Sequence, residues 1–414
     1  MPLDHEQYAP PLYLVFTKLL GELLGYREWV LRIPALIGGM TAVVSIWYIS
    51  KKMLDEYWDL LPLVLLFGNP FVLRYVTELK PYGLDLGLAA LLIALHLRGA
   101  RHRTVGLGSW AAIGSLVPWF SLPSVFVLAT VGLRELRYDR RWLLVITGWL
   151  ASFALLYVLV LRPSIGSNYL NDFHQDYFLP LRPDTASLAQ VGRIVSRLLR
   201  LCFGLTLVAQ VWGALLLLAG GLLAPRKLWL LLPLGIVVAV SGMQLYSLID
   251  RLILFVLPGV WVVAALGAQN LAAYVRRSRP AYAVVIVLTL LLAGGGNIYY
   301  RYWQPEHTSD GRELATYAEG PHTYIDESAV PVVDYYTRIH PATRYTTAAA
   351  RARTPHTGQS NYTLLFDVMT EQTIRVRAEN AAEAAAARGC EVKEVDLFRA
   401  RVVELRCPVR NSDP

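Results

Sequence analysis

Four charged residues crowd into the stretch RYVTELKPYGLDLG: Arg74, Glu78, Lys80 and Asp85. The runs on either side are almost wholly apolar, so the cluster needs a reason. Cations in a cavity hold phosphate through charge-assisted hydrogen bonds, and carboxylates hold sugar hydroxyls or a divalent cation. Arg74 and Glu78 are four apart, a spacing that puts them on one helix face and lets them pair. Lys80 and Pro81 mark a break. Asp85 follows Tyr82 by three residues, inside the next apolar run. An acid at membrane depth is costly and faces a cavity or a partner. The same charges would also serve as an intramembrane ion pair fixing two helices, and both readings stay open at this level.

Three other stretches carry comparable residue types. YSLIDRLILFVLP places Asp250 and Arg251 at the start of an apolar run, where they would face the same cavity or anchor a helix end by snorkelling. SIGSNYLNDFHQDYFLPLRPD is rich in Asn, Asp, Tyr and His, which bind sugars by hydrogen bonding and stacking, or simply solvate a loop. His174 lies between Asp172 and Asp176, a grouping able to ligate a metal, although no second ligand motif supports it. MPLDHEQYAPPLY opens the chain with Asp4, Glu6 and Tyr8. A carboxylate there could take the proton of an acceptor hydroxyl; otherwise it is a solvated charge. No cofactor motif is present in these stretches, and a divalent metal at the carboxylates is the one cofactor they would suit.

The elements that must position these residues are apolar helices. Of the 414 residues 55% are hydrophobic, the mean hydropathy is +0.40, and only 17% are charged, below the roughly 25% of soluble domains. Runs such as LLPLVLLFG and WLLVITGWLASFALLYVLVL predict a polytopic helical membrane protein in the lipid bilayer. We read about ten spans at the ~20-residue length a bilayer needs. They lie near 28–49, 58–76, 82–97, 104–119, 121–137, 142–161, 202–224, 227–246, 251–274 and 281–300. Every second connection is basic: SKKMLDEYW, RGARHRT, RELRYDRR, APRKL and VRRSRP. The net charge of +8 therefore reflects cytoplasmic loops rather than a nucleic-acid partner. This sidedness puts residues 74–85, the loop 162–201 and everything after 301 outside the cytoplasm.

Residues 1–27 fall outside with no span before them, so either this short tail crosses unaided or a helix lies upstream of Met1. APPLYLVFTKLLGELLG carries Lys18 and Glu22 and reads as an amphipathic helix lying in the interface. The domain reading is thus 1–27, an outer segment with an interfacial helix; 28–302, the multi-span region; and 303–414, a small extracytoplasmic α/β domain. In that tail, helix patterns at GRELATYAEG, VPVVDYYTRI and 370–389 alternate with strand patterns at HTYIDES, YTLLFDV, EVKEVDLF and RARVVELRC. TTAAARARTPHTGQSN reads as a loop. Cys202 reads as a packed thiol, whereas Cys390 and Cys407 could pair in an oxidising compartment.

The order of these features resembles the GT-C glycosyltransferases, in the branch of the protein O-mannosyltransferases and the lipid A aminoarabinose transferase. The resemblance rests on Pro10-Pro11-Leu12-Tyr13, on Leu24-Gly25 and Arg32, on Thr77, Glu78, Lys80 and Tyr82, on WFSLPSVFVLA, on SNYLNDF…FLPL, and on Arg251 with Pro258. It covers roughly residues 2–300, and the tail is similar to the small outer domain of some members. It implies transfer of a sugar from a polyprenyl-phosphate donor to an extracytoplasmic acceptor at the cytoplasmic (inner) membrane. Arg74, Lys80 and Arg251 would take the donor phosphate. Tyr8, Glu78, Tyr82, Asp85 and Asp250 would shape the site. The family's catalytic acid sits in the first outer loop, which leaves Asp4 and Glu6 as the acids of that loop here. Ala9 stands where the aminoarabinose branch has Lys. A flippase of lipid-linked saccharide and a shortened non-catalytic subunit are the alternatives.

Overall fold

The structure, a computed structural model, describes residues 9–102, 106–162, 174–180, 185–276, 278–280, 282–285, 287–289, 310–319, 323–326, 328–339, 361–367 and 371–408. Asp4, Glu6, Tyr8, Asp172 and residues 346–360 of the predicted loop 346–361 lie outside them; its last residue, Asn361, begins a strand. The chain divides into two compact units, Met1–Gln304 and Pro305–Pro414.

The larger unit is a helical membrane fold. Its helices are α1 (Pro11–Leu24), α2 (Glu28–Met53), α3 (Leu61–Gly68), α4 (Pro70–Tyr75), α5 (Tyr82–His102), α6 (Leu107–Leu116), α7 (Ser124–Leu136), α8 (Trp142–Leu156), α9 (Thr185–Phe203), α10 (Leu207–Leu223), α11 (Leu232–Gly242) and α12 (Leu257–Val275). Five helical stretches among the described residues are long and apolar enough to cross a membrane: Glu28–Met53, Tyr82–Gly99, Trp142–Leu161, Pro225–Gly242 and Leu254–Val275. The bent pair α9–α10 makes a sixth. Other expected spans are interrupted where proline removes a backbone donor. The 58–76 stretch breaks at Asn69-Pro70; the expected spans 104–119 and 121–137 appear as two shorter helices, Leu107–Leu116 and Ser124–Leu136, on either side of Pro118 and Pro123. Most of the tenth expected span lies outside the described residues.

Helix α2 packs most extensively on α5. A Cβ added at Gly38 would strike the Gly83 carbonyl, and one at Gly87 would strike the Gly38 carbonyl, so the two backbones touch. Small residues permit this close approach, which is what drives helix association in lipid. The two helices run parallel, because Gly38 meets Gly83 and Gly87 toward their starts while Met53 and Leu97 line one cavity toward their ends. Helix α12 is the buried centre of the unit, with Trp261 fully enclosed. It approaches α10 in the same way, through Gly220 and Gly267.

The expectation of an irregular loop at 162–201 needs correction. Residues 185–203 form α9, a 19-residue helix with Arg193, Arg197 and Arg200 along it, which meets α10 at 88°. Gly204 (φ 97°) supplies the backbone turn that other residues adopt only with strain.

The smaller unit holds a four-stranded sheet in the order β1-β2-β4-β3, with β1 Thr323–Ile325, β2 Asn361–Asp367, β3 Glu391–Leu397 and β4 Ala400–Arg406. The first pair is parallel and the other two are antiparallel. Side chains alternate across the strands. Phe366 and Val403 join a core under α15 (Glu371–Ala386), whereas Leu365 and Val402 join a core under α13 (Gly311–Thr316) and α14 (Val330–Ile339). Cys390 and Cys407 are bridged. The helix and strand pattern expected of the tail is present throughout its described residues.

Candidate functional site

The charged stretch begins on α4. Asn69 caps that helix, its Oδ1 accepting from the N–H groups of Phe71 (3.0 Å) and Val72 (3.1 Å). The helix is short. It ends at Tyr75, and the Thr77 hydroxyl donates back to the carbonyls of Leu73 (3.0 Å) and Arg74 (2.9 Å). Glu78 therefore lies beyond the helix, and the shared face expected for Arg74 and Glu78 does not form. A turn closed by Lys80 N–H on Glu78 O (2.8 Å) then leads into α5. Helix α5 buries Tyr82 and Asp85 in its first turn, and the α2 contact fixes its position.

Chain-distant groups converge on this turn. The charge of Arg251 acts on Lys80, Tyr82, Tyr75 and His174. Glu78 and Asp85 act on Tyr82 and on Tyr13, which α1 buries to 3% exposure. The rings of Tyr75 and Tyr82 meet edge to face at 5.5 Å. Burial pulls the Lys80 ammonium below its ordinary value; Glu78 opposes that shift and Arg251 adds to it. Ser121 acts on Asp85, yet Ser121 Oγ and Asp85 Oδ1 both lack a hydrogen-bond partner at ordinary distance.

Asp250 sits beside α9. Burial raises its carboxyl above the ordinary value, and Arg197 and Arg200 pull it back. The Arg197 guanidinium lies over the Tyr177 ring at 4.5 Å, and Arg200 lies over Phe71 at 5.5 Å. The segment 174–180 is stitched into place. Leu248 N–H donates to Tyr177 O (3.0 Å), Leu179 N–H to Ser241 Oγ (3.1 Å), and the Gln190 amide to the carbonyls of Phe178 (2.9 Å) and Gln175 (3.1 Å). Tyr246 donates to Leu252 O at 2.7 Å, closing the loop that carries Asp250 and Arg251.

Among the described residues, six buried polar atoms in this region have no hydrogen-bond partner at ordinary distance: Tyr13 Oη (near Thr17), Glu78 Oε2, Asp85 Oδ1 and Ser121 Oγ (near each other), Arg197 Nη1 and Asp250 Oδ1. Buried polar groups are almost always satisfied, so a concentration of donors and acceptors that are not makes this turn the candidate site.

Of the residues expected from sequence, the structure brings together Glu78, Lys80, Tyr82, Asp85 and Arg251. Asp250 joins them through Tyr75, which feels the charges of Asp250, Arg74, Glu78 and Arg251. Arg74 is exposed and lies over the Tyr75 ring at 5.9 Å. The residues sequence reasoning missed are Tyr75, Ser121, Arg197, Arg200 and Tyr246. Tyr13 was noted only as part of a motif. The periodic arginines of α9 carried a readable signal; Ser121 and Tyr246 carried none. No group of three metal-ligating side chains occurs among the described residues.

No family model matches the chain, and no curated protein matches it. Two solved structures are similar to it. ArnT from Cupriavidus metallidurans bound to undecaprenyl phosphate is 12% identical, with a TM-score of 0.47, across 95% of this chain and 87% of that one. The apo state of the same protein is 14% identical, with a TM-score of 0.49 and the same coverage.

Proposed function

We propose that this chain is a glycosyltransferase of the GT-C type. It moves a sugar from a polyprenyl-phosphate donor, undecaprenyl phosphate being the carrier to test first, to a lipid, glycan or protein acceptor outside the cytoplasm. It would sit in the cytoplasmic membrane with residues 303–414 on the outer side. The observation that carries this reading is the set of orphaned buried polar atoms of both signs around Arg251. A phosphate ester of a sugar needs that mixture, with cations for the phosphate and carboxylates and phenols for the hydroxyls.

In the reaction the bond between the sugar C1 and the phosphate oxygen breaks while the bond from the acceptor to C1 forms. The departing phosphate keeps the electron pair, and Arg74, Lys80 and Arg251 stabilise its charge. The acceptor's proton goes to a carboxylate. Asp4 and Glu6 are the acids proposed for that step, and Tyr8, Glu78, Tyr82, Asp85 and Asp250 shape the pocket. Burial, which makes the ammonium form of Lys80 easier to deprotonate, makes that form more responsive to an incoming phosphate than an exposed lysine would be.

A transporter of lipid-linked saccharide is the second reading, favoured by the 88° break between α9 and α10. One experiment separates the two. The protein is reconstituted in vesicles with a fluorescent polyprenyl-phosphate sugar, and both the chemical fate and the sidedness of the label are followed. Transfer that falls at least about 100-fold in Glu78→Gln and Arg251→Ala supports the transferase. Movement of unchanged label across the vesicle supports the transporter. Full transfer activity in both variants refutes the site as drawn.

A further inference from the structure

We propose that the opposite end of the membrane unit holds an independent binding site for the phosphodiester headgroup of an anionic phospholipid. A cavity of about 470 Å³ there is lined by Lys52 and Met53 at the end of α2, Leu97 of α5, Arg134 of α7, and Arg226, Lys227 and Trp229 of the turn before α11. Four cations from three separate segments thus meet in one cavity, with Met53, Leu97 and Trp229 as its apolar surface.

Two features separate this cavity from a basic surface. First, three of the neighbouring acids have other partners. Glu135 pairs with the buried His96 (Nδ1 to Oε1, 3.3 Å), Asp59 pairs with Lys51, and Asp55 accepts from the Gln269 amide at 2.8 Å. None of the four cavity cations forms a salt bridge within 4.0 Å to a carboxylate of the described residues, although the charge of Arg134 reaches Glu135. Second, the cations are held. Arg134 lies over the Trp229 ring at 4.5 Å, and His96 meets the same ring edge-on at 5.2 Å. Lys227 Nζ stands 3.3 Å from Met53 Sδ, and Lys52 lies 5.7 Å from the Tyr48 ring centre. A guanidinium stacked on an aromatic face keeps its N–H edge for an anion.

The height of the cavity selects the source of that anion. It lies where the spans Glu28–Met53 and Tyr82–Gly99 end and Pro225–Gly242 begins, which is headgroup level. Basic pockets between helices at that level take lipid phosphates, and the apolar wall suits the glycerol and first acyl carbons. The basic connections place this end in the cytoplasmic leaflet.

The test is native mass spectrometry of the full chain released from micelles containing equal amounts of dioleoyl-phosphatidylglycerol and dioleoyl-phosphatidylcholine. The wild type should retain one phosphatidylglycerol in preference to phosphatidylcholine by about tenfold or more. Each charge removed should weaken retention about fivefold, so Arg226→Gln with Lys227→Gln should lose about 25-fold. Lys52→Gln, at an exposed position on the rim, should lose about fivefold even if the double variant does not fold. Equal retention of the two lipids, or retention unaffected by Lys52→Gln, overturns the proposal. Stabilisation by millimolar inorganic phosphate, abolished by the same variants and unaffected by lipid, overturns the assignment to a lipid.

Discussion

Helix α9 stops inside the membrane unit, and its last carbonyls must find donors away from water. Asn69 and Trp261 supply them. Asn69 Nδ2 donates to Leu201 O at 2.6 Å, and Trp261 Nε1 donates to Cys202 O at 2.7 Å. The Gln210 amide takes the next ones, Gly204 O at 3.1 Å and Leu205 O at 3.3 Å. Asn69 has a second task, since its Oδ1 caps α4. It is 2% exposed, so water cannot replace either bond. Replacing Asn69 with Ala should remove a cap worth ~1 kcal/mol and an interhelical bond worth ~0.6 kcal/mol on average, with ~1.7 kcal/mol as its upper end. The expected loss is about 2 kcal/mol. Asn69→Asp keeps the capping acceptor but sets an oxygen against Leu201 O, so its loss should be at least as large.

The assay is equilibrium unfolding in mixed micelles of mild detergent and dodecyl sulfate, followed by circular dichroism. A loss under about 0.5 kcal/mol for Asn69→Ala, together with a neutral Asn69→Asp, would refute the account of the bend. A double-mutant cycle with Trp261→Phe adds a sharper check. Both donors serve successive carbonyls of one helix end, so their coupling should reach roughly 0.5–1 kcal/mol; strict additivity would mean that they do not hold the same bend.

Two further predictions concern groups outside the spans. Burial holds the Asp250 carboxyl above its ordinary 3.8, so the folded state binds this proton more tightly than the unfolded state. Stability should then fall as pH rises from 3.8 through the folded value, with the whole penalty present above it. Asp250→Asn should gain on the wild type across that window, and a difference in unfolding midpoint that stays flat with pH would contradict the burial argument. In the smaller unit the Cys390–Cys407 bridge closes a separation of 17 residues, worth about 3 kcal/mol of chain entropy. Cys390→Ser with Cys407→Ser should lower the unfolding midpoint of that unit and increase its proteolysis in the full chain, and unchanged protease resistance would argue against the bridge.

Much of this fold was legible because lipid is a severe solvent. Long apolar helices were readable from hydropathy, and the tail from its alternation of strand and helix patterns. What was not legible follows from packing. Helix α9 was read as loop because its arginines and glutamine masked the apolar positions Leu188, Val191, Ile194, Leu198 and Leu201, which repeat every three or four residues. The pairing of Arg74 with Glu78 failed because spacing assumes a continuous helix, and Thr77 closes α4 before the second residue is reached. The charges of residues 74–85 were readable as a polar wall. Arg251 was grouped with them through the resemblance; Tyr13 and Arg197 were not, since they arrive from segments that only the tertiary fold brings near.

The two polar ends call for different arguments. Positive charge at the end with Lys52, Arg134, Arg226 and Lys227 is what membrane insertion alone would produce, so charge there proves no ligand. The case rests on what insertion does not demand, namely a cavity of about 470 Å³, acids held by other partners, and a tryptophan between Arg134 and His96. At the other end the insertion rule runs the opposite way and favours few cations. Lys80, Arg197 and Arg251 persist there and are partly buried, among Glu78, Asp85 and Asp250. Six polar atoms in that region have no hydrogen-bond partner among the described residues. Charges kept against both the insertion rule and the cost of desolvation are what the proposed donor, with its phosphate and hydroxyls, would use.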